Sequence, residues 1–231
     1  MSIASNLLGI RERIARAAGR AGIGADTVAL MAVTKTVPTE GILEAYEAGQ
    51  RLFGENRVQE FAAKHGALGK LTDAEFHMIG HLQSNKAAKA AEVFSAIDSL
   101  DSVKLGERLN VAAGTLGLTL DVLVEINVGG EEAKSGVTPE GPELEQILAA
   151  APAWTHLRVR GLMIVPPFTE DPEGARPYFR RLREVRDRLA ARYPSSNLQQ
   201  LSMGMSHDFE VAIEEGSTCV RIGTAIFGER G

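Results

Sequence analysis

In the opening segment Ile3, Leu7, Ile10 and Ile14 recur at helical spacing, with Arg11, Arg13, Arg16 and Arg20 between them. The pattern predicts an amphipathic helix within Met1–Gly24. Arg-rich amphipathic starts also occur in transit peptides, but no apolar core or small-residue cleavage site follows, so a surface helix packed on the domain is expected. Beyond it, short β-rich runs alternate with helical patterns. The runs are Val28–Thr34, Arg51–Gly54, Phe76–Ile79, Val93–Ile97, Leu120–Ile126, Val159–Ile164, Leu198–Ser202 and Thr218–Ile222. Helical periodicity fills Thr39–Ala48, Val58–His65, Ser84–Ala91, Val103–Leu116, Pro139–Ala151, Ala175–Arg192, His207–Glu215 and Thr224–Arg230. Alternating β and α units imply parallel strands joined by helical crossovers. Eight such units predict a closed (β/α)8 barrel with an extra N-terminal helix, a single α/β domain over residues 1–231. Arg51–Gly54 and Phe76–Ile79 are weak strand formers, assigned by the rhythm and not by propensity.

Composition narrows the function classes. The chain has 25 basic against 30 acidic residues, a formal charge of −5, and 44% hydrophobic residues. A mildly acidic chain lacks the basic face that neutralises nucleic-acid phosphates. No apolar run approaches the roughly 18 residues of a membrane span. A lone cysteine, Cys219, excludes an internal disulfide framework and a Cys-rich metal site. A reduced, cytoplasmic, soluble protein is expected, and no exposed apolar stripe calls for more than a monomer.

In a barrel, functional side chains gather at the C-terminal ends of the strands. There the sequence places Lys35 after strand one, Glu55–Asn56 after strand two, Gly80–His81 after strand three, and Asn127 after strand five. A lysine ending an apolar strand either snorkels to solvent or, where its ammonium form is disfavoured, serves as a Schiff-base amine. On strand eight, period-2 alternation puts Cys219, Arg221 and Gly223 on one face and Thr218, Val220 and Ile222 on the other. The β-branched set suits the helix-facing layer, so Arg221 turns inward, toward an anion, an acceptor or a salt bridge with Glu125. After strand seven, Ser202–Met203–Gly204–Met205–Ser206 leads into a helix, and Gly223–Thr224 opens the last one. Such loops either cap their helices or present donors to a phosphate. Rim lysine, inward arginine and these two loops together describe a pocket for an aldehyde with a phosphate arm.

The motifs Ala32–Val33–Thr34–Lys35, Gly54–Glu55–Asn56–Arg57–Val58–Gln59–Glu60 and His77–Met78–Ile79–Gly80–His81–Leu82–Gln83–Ser84–Asn85–Lys86 resemble three blocks of one family. Lys134–Ser135–Gly136, Arg160–Gly161–Leu162–Met163, Leu201–Ser202–Met203–Gly204–Met205–Ser206 and Val220–Arg221–Ile222–Gly223–Thr224–Ala225–Ile226–Phe227–Gly228 resemble the remainder, in order. This is the pyridoxal 5′-phosphate homeostasis protein family, a relative of the alanine racemase barrel. The resemblance implies pyridoxal 5′-phosphate held as an internal aldimine on Lys35. It implies Arg221 opposite the pyridine nitrogen, Ser202, Gly223 and Thr224 around the phosphate with backbone from Met203 and Gly204, and Asn56 lining the pocket. Arg57 and His207 depart from the family pattern, which more often has an aromatic and an acidic or amide residue there.

An arginine opposite the ring nitrogen leaves that nitrogen unprotonated and the ring a poor electron sink. Racemase relatives add a tyrosine on the opposite face, whereas Tyr46, Tyr178 and Tyr193 fall in helical patterns away from strand ends. The expectation is a carrier that buffers the cofactor and releases it to apo-enzymes, with no catalytic residues. An amino-acid racemase using His81 or His207 is the main alternative, and a Schiff-base aldolase another. His77 and His81 lack an evident third metal ligand, so His77 is expected in a hydrogen-bonding or core role. Cys219 reads as a small buried hydrophobe, Arg176 to Arg188 as a solvated helix face, and Lys64, Lys86 and Lys89 as exposed lysines. Trp154 and Phe168 are expected to seat loops against the barrel.

Overall fold

The structure, a computed structural model, describes residues 2–129, 135–194 and 196–228. Lys134 of the Lys134–Ser135–Gly136 motif and Arg230 at the end of the last helical pattern lie outside these. Helix α1 is Ile3–Ala21, capped by the Ser2 side chain on the Ser5 amide and closed by Gly22 in the left-handed region. Eight parallel strands follow: β1 Ala29–Val33, β2 Leu52–Glu55, β3 Glu75–Met78, β4 Ala96–Leu100, β5 Leu120–Glu125, β6 Leu157–Met163, β7 Gln200–Ser202 and β8 Cys219–Ile222. They close in sequence order, β8 pairing with β1 in register Met31 to Arg221. The helices outside are α2 Thr39–Glu47, α3 Val58–Leu68, α4 Ala87–Val93, α5 Val103–Thr115, α6 Pro142–Ala150, α7 Arg176–Arg192, α8 Phe209–Glu214 and α9 Thr224–Phe227. The expected (β/α)8 barrel with its additional N-terminal helix is what the chain forms.

Apolar side chains on the outer strand faces, among them Ala32, Phe53, Ile97, Val122, Leu162 and Val220, are buried against the helices. Inside, Gly54 gives way to a neighbour: a Cβ there would lie 2.7 Å from Met31 Sδ. Helix α1 packs over α8 and α9. Arg13 Nε donates to Glu210 at 2.7 Å, Arg20 Nε to Glu214 at 2.7 Å, and the Arg13 guanidinium sits 4.5 Å from the Phe209 ring centroid. Arg13 and Arg20 are therefore docking groups on α8, while Arg11 donates to the Ala48 carbonyl and to Gln50.

Strand four is displaced from its expected place. It runs Ala96–Leu100 and not Val93–Ile97, and it includes Asp98 and Ser99, which are buried and satisfied. Asp98 Oδ1 lies 3.0 Å from His77 Nδ1, and Ser99 Oγ donates to the Gly80 carbonyl at 2.7 Å. The arginines of α7 are likewise more than a solvated face. Arg176, Arg180 and Arg183 converge on buried Glu215 at 3.2, 3.0 and 3.0 Å. Trp154 is buried against Gly106, while Phe168 is exposed and meets only the His207 ring among ring contacts of the described residues, at 5.6 Å.

Candidate functional site

The site is assembled where β1 ends. The Thr34 amide continues the sheet by donating to the Gly54 carbonyl, and the Val37 amide then returns to the Thr34 carbonyl, both at 2.9 Å. Lys35 and Thr36 thus form the corner of a tight turn. Thr36 has φ 63, the left-handed conformation at the third position of a turn where glycine is favoured. Lys35 is half-buried and lines a cavity of about 370 Å³ together with Thr36, Gly223 and Thr224. The expected amine and the start of the last helix therefore share one space.

Arg221 is buried within the barrel. Its Nη1 donates to Ser202 Oγ at 2.7 Å and its Nη2 to the Ile164 carbonyl at 2.5 Å. Burial pushes the guanidinium's affinity for its proton down, partly offset by the charges of Asp98, Glu125 and Asp208. Among the described residues no carboxylate oxygen lies within ion-pair distance, so the alternative of a salt bridge to Glu125 is not formed. A cation held by two neutral acceptors keeps its positive field for whatever lies next to it. Ser202 is fully buried and is the hydroxyl partner of Arg221.

The two loops meet through Ser206, whose Oγ accepts from the Ala225 amide at 3.4 Å. Asp208 folds the first loop by accepting from the Met205 amide at 2.6 Å. Met203 contributes its side chain to the core, and its amide is spent on the Cys219 carbonyl at 3.1 Å. Gly204 adopts φ 95, and a Cβ there would stand 2.9 Å from Phe209 Cα. Only glycine lets this loop lie against the start of α8.

Asn56 lines a second cavity at the same end of the barrel, about 300 Å³, with His81, Glu125, Asn127 and Ser135. Glu125 is buried. Burial raises its carboxyl pKa, one oxygen accepts from Ser135 Oγ at 3.0 Å, and the other has no hydrogen-bond partner. His81 Nδ1 lies 3.2 Å from Asp101 Oδ2. No tyrosine lines either cavity as described. The Tyr46 and Tyr193 hydroxyls are engaged with Asp73 and Glu145, and Tyr178 packs on the core. Among the described residues no cluster of three metal-ligating side chains occurs.

The roles of three residues around the Thr34–Thr36 corner escaped the sequence reading. Lys64, expected to be exposed, is mostly buried on α3, 3.5 Å from Glu55 Oε1 and 3.2 Å from Glu60 Oε1. Glu55 faces the helices and not the barrel interior, accepting from Thr34 Oγ1 at 2.8 Å. Glu60 accepts from the Thr36 amide at 2.9 Å. The spacing of Glu60 and Lys64, four apart on one helix face, was the available signal.

Residues 6–231 match the family model described as alanine racemase, N-terminal domain. The pyridoxal phosphate homeostasis protein of Aquifex aeolicus is 48% identical over 230 residues, covering 100% of this chain and 99% of that protein. The Escherichia coli K12 protein of the same name is 42% identical over 236 residues, covering 99% and 97%. Among solved structures, PipY of Synechococcus elongatus with PLP bound matches at TM-score 0.86 and 37% identity, over 98% of this chain and 100% of that one. Alanine racemase from Clostridium difficile 630 matches at TM-score 0.70 and 12% identity, over 57% of its own chain, a likeness of fold alone.

Proposed function

Because the chain belongs to the pyridoxal phosphate homeostasis protein family, we propose that it binds pyridoxal 5′-phosphate as a Schiff base on Lys35 and buffers it in the cytoplasm for apo-enzymes. The observation that carries this reading is the shared cavity of Lys35, Gly223 and Thr224, with Arg221 buried on β8, the strand that leads into Gly223, and paired with Met31 of β1. The residues fit the group. Lys35 supplies the amine for the aldehyde carbon, and the backbone and hydroxyl donors of Gly223, Thr224 and Ser206 suit the phosphate. Ser202 and the Met203–Gly204 backbone belong to the phosphate side as the resemblance implies, Asn56 borders the ring side, and Arg221, held by the Ser202 hydroxyl, faces the ring nitrogen.

When bound, the cofactor supplies an electrophilic carbon and, if its ring nitrogen is protonated, an electron sink. Arg221 has no proton to give at neutral pH and none to accept, so it withholds that second property. The described cavity linings also offer no tyrosine as a second acid or base. Holding without turnover follows from both facts. His81, which lines the mouth beside Glu125, is the observation that favours racemisation as the second reading.

The test is the absorption spectrum of purified protein beside Lys35→Ala, followed by a D/L interconversion assay. A yellow band present in the wild type and absent in the variant, with no interconversion, is expected. Two proteins that remain colourless with added pyridoxal 5′-phosphate would overturn the cofactor reading. Robust interconversion that falls in His81→Ala would replace the carrier with a racemase.

A further inference from the structure

We propose that Glu60 is a positioning residue for Lys35, holding the Lys35–Thr36 corner in the one backbone conformation that sends the lysine into its cavity. This rests on the reading of Lys35 as the cofactor-bearing amine. A β-branched residue at φ 63 is costly, because its Cβ crowds the following carbonyl in the left-handed region. Such strain persists only where surrounding bonds impose it. Here, beside the Val37 amide that closes the turn on the Thr34 carbonyl, the imposing bond is the Thr36 amide donating to Glu60 Oε1 at 2.9 Å. It reaches the residue immediately after Lys35. The residue immediately before is held by the same cluster, since Thr34 Oγ1 donates to Glu55 Oε1 at 2.8 Å.

Lys64 joins the two clamps. Its ammonium lies between Glu60 and Glu55, and it is the cation that offsets the burial of Glu55, whose second oxygen is buried with no hydrogen-bond partner. The Thr36 amide, first among its partners, holds the Glu60 carboxyl below its ordinary range, with the Lys64 bond adding to it. Helix α3 therefore acts as a rigid splint across the end of β1. Glu60 is not itself among the residues that line the cavity, but the Thr36 whose amide it holds is, so its influence passes through the backbone.

The experiment is a comparison of Glu60→Ala, Glu60→Gln, Thr36→Gly and the Glu60→Ala/Thr36→Gly double variant. Each is read by pyridoxal 5′-phosphate titration, and the wild type and the two Glu60 single variants also by hydrogen exchange of the Thr36 amide in the cofactor-free protein. Glu60→Ala is expected to weaken affinity roughly tenfold, the scale of one charge-assisted hydrogen bond, and to speed Thr36 exchange. Glu60→Gln keeps a side-chain carbonyl acceptor and should stay near the wild type on both readouts. In the double variant glycine removes the steric cost of the left-handed corner, so most of the lost affinity should return. An affinity loss that Thr36→Gly fails to relieve, or unchanged Thr36 exchange in Glu60→Ala, would overturn the proposal and leave Glu60 a structural residue of α3. A wild type that takes up no cofactor would sink the function reading instead, while Thr36 exchange would still decide whether the clamp exists.

Discussion

The His77 imidazole lies near the N-terminal end of the strands, 3.0 Å from Asp98 and 3.8 Å from Glu75. Burial by itself would drive its pKa down, but the charge and hydrogen bond of Asp98, with those of Glu75, outweigh it and hold the pKa at about 9. A histidine whose folded pKa exceeds its unfolded value of about 6.5 stabilises the fold fully below that value. The contribution then fades as pH rises from about 6.5 to 9, to a ceiling of about 3 kcal/mol. Urea unfolding of the wild type at pH 6 and pH 9, beside His77→Gln, measures it. The wild type should lose stability across that interval by more than the variant does, and parallel pH profiles would show that the pair contributes nothing. Cys219, on the same inner strand face as Arg221, stands at the opposite extreme. Burial pushes its thiol up to about 12, which makes it inert as a nucleophile at neutral pH.

At the scale of elements, close backbone approach decides what the mouth of the barrel can hold. A Cβ on Gly80 would collide with the Asn56 carbonyl oxygen and press on its Cα. Gly80→Ala should therefore push the ends of β2 and β3 apart and displace Asn56 from the mouth cavity. We expect cofactor affinity to fall about tenfold or more, with a melting-temperature loss of a few degrees, measured by titration and thermal unfolding. Unchanged affinity would remove Asn56 from the site. The elements themselves were largely legible in the sequence because the helices carry their own periodicity and several strand ends a small or polar residue. Strand four was legible only in part, since Asp98 and Ser99 are satisfied by partners on β3 and the loop after it that no local pattern reveals. Lys64 was misread for the same reason: a lysine in an amphipathic helix looks solvated until Glu55, nine residues earlier, is seen to face outward toward it. Of the candidate site, Lys35, Gly223 and Thr224 were brought together as the topology required. The partnership of Ser202 with Arg221 and the splint of α3 depend on tertiary geometry.

At the scale of the whole molecule, the N-terminal helix reaches the Lys35 cavity from outside the barrel. Ile3 lines that cavity with Lys35 and Thr224, and Asn6 Nδ2 donates to the Ile226 carbonyl of α9 at 2.8 Å. Helix α9 has a single turn, too short to be stable by itself. Its position, and with it that of Thr224, is set by what packs on it, and α1 supplies both an apolar face and this hydrogen bond. Removing a part-buried bond of this kind costs roughly 0.5–1.5 kcal/mol, equivalent to about two- to tenfold in affinity if the loss falls on the bound geometry. Asn6→Ala should thus weaken cofactor binding by that factor while leaving the position of the yellow band unchanged, because Lys35 and Arg221 are untouched. Titration of the cofactor-free variant measures the first quantity and its absorption spectrum the second. If thermal stability falls but affinity holds, α1 merely buttresses α8. If affinity falls, the helix that precedes the eight-unit repeat is part of the binding site.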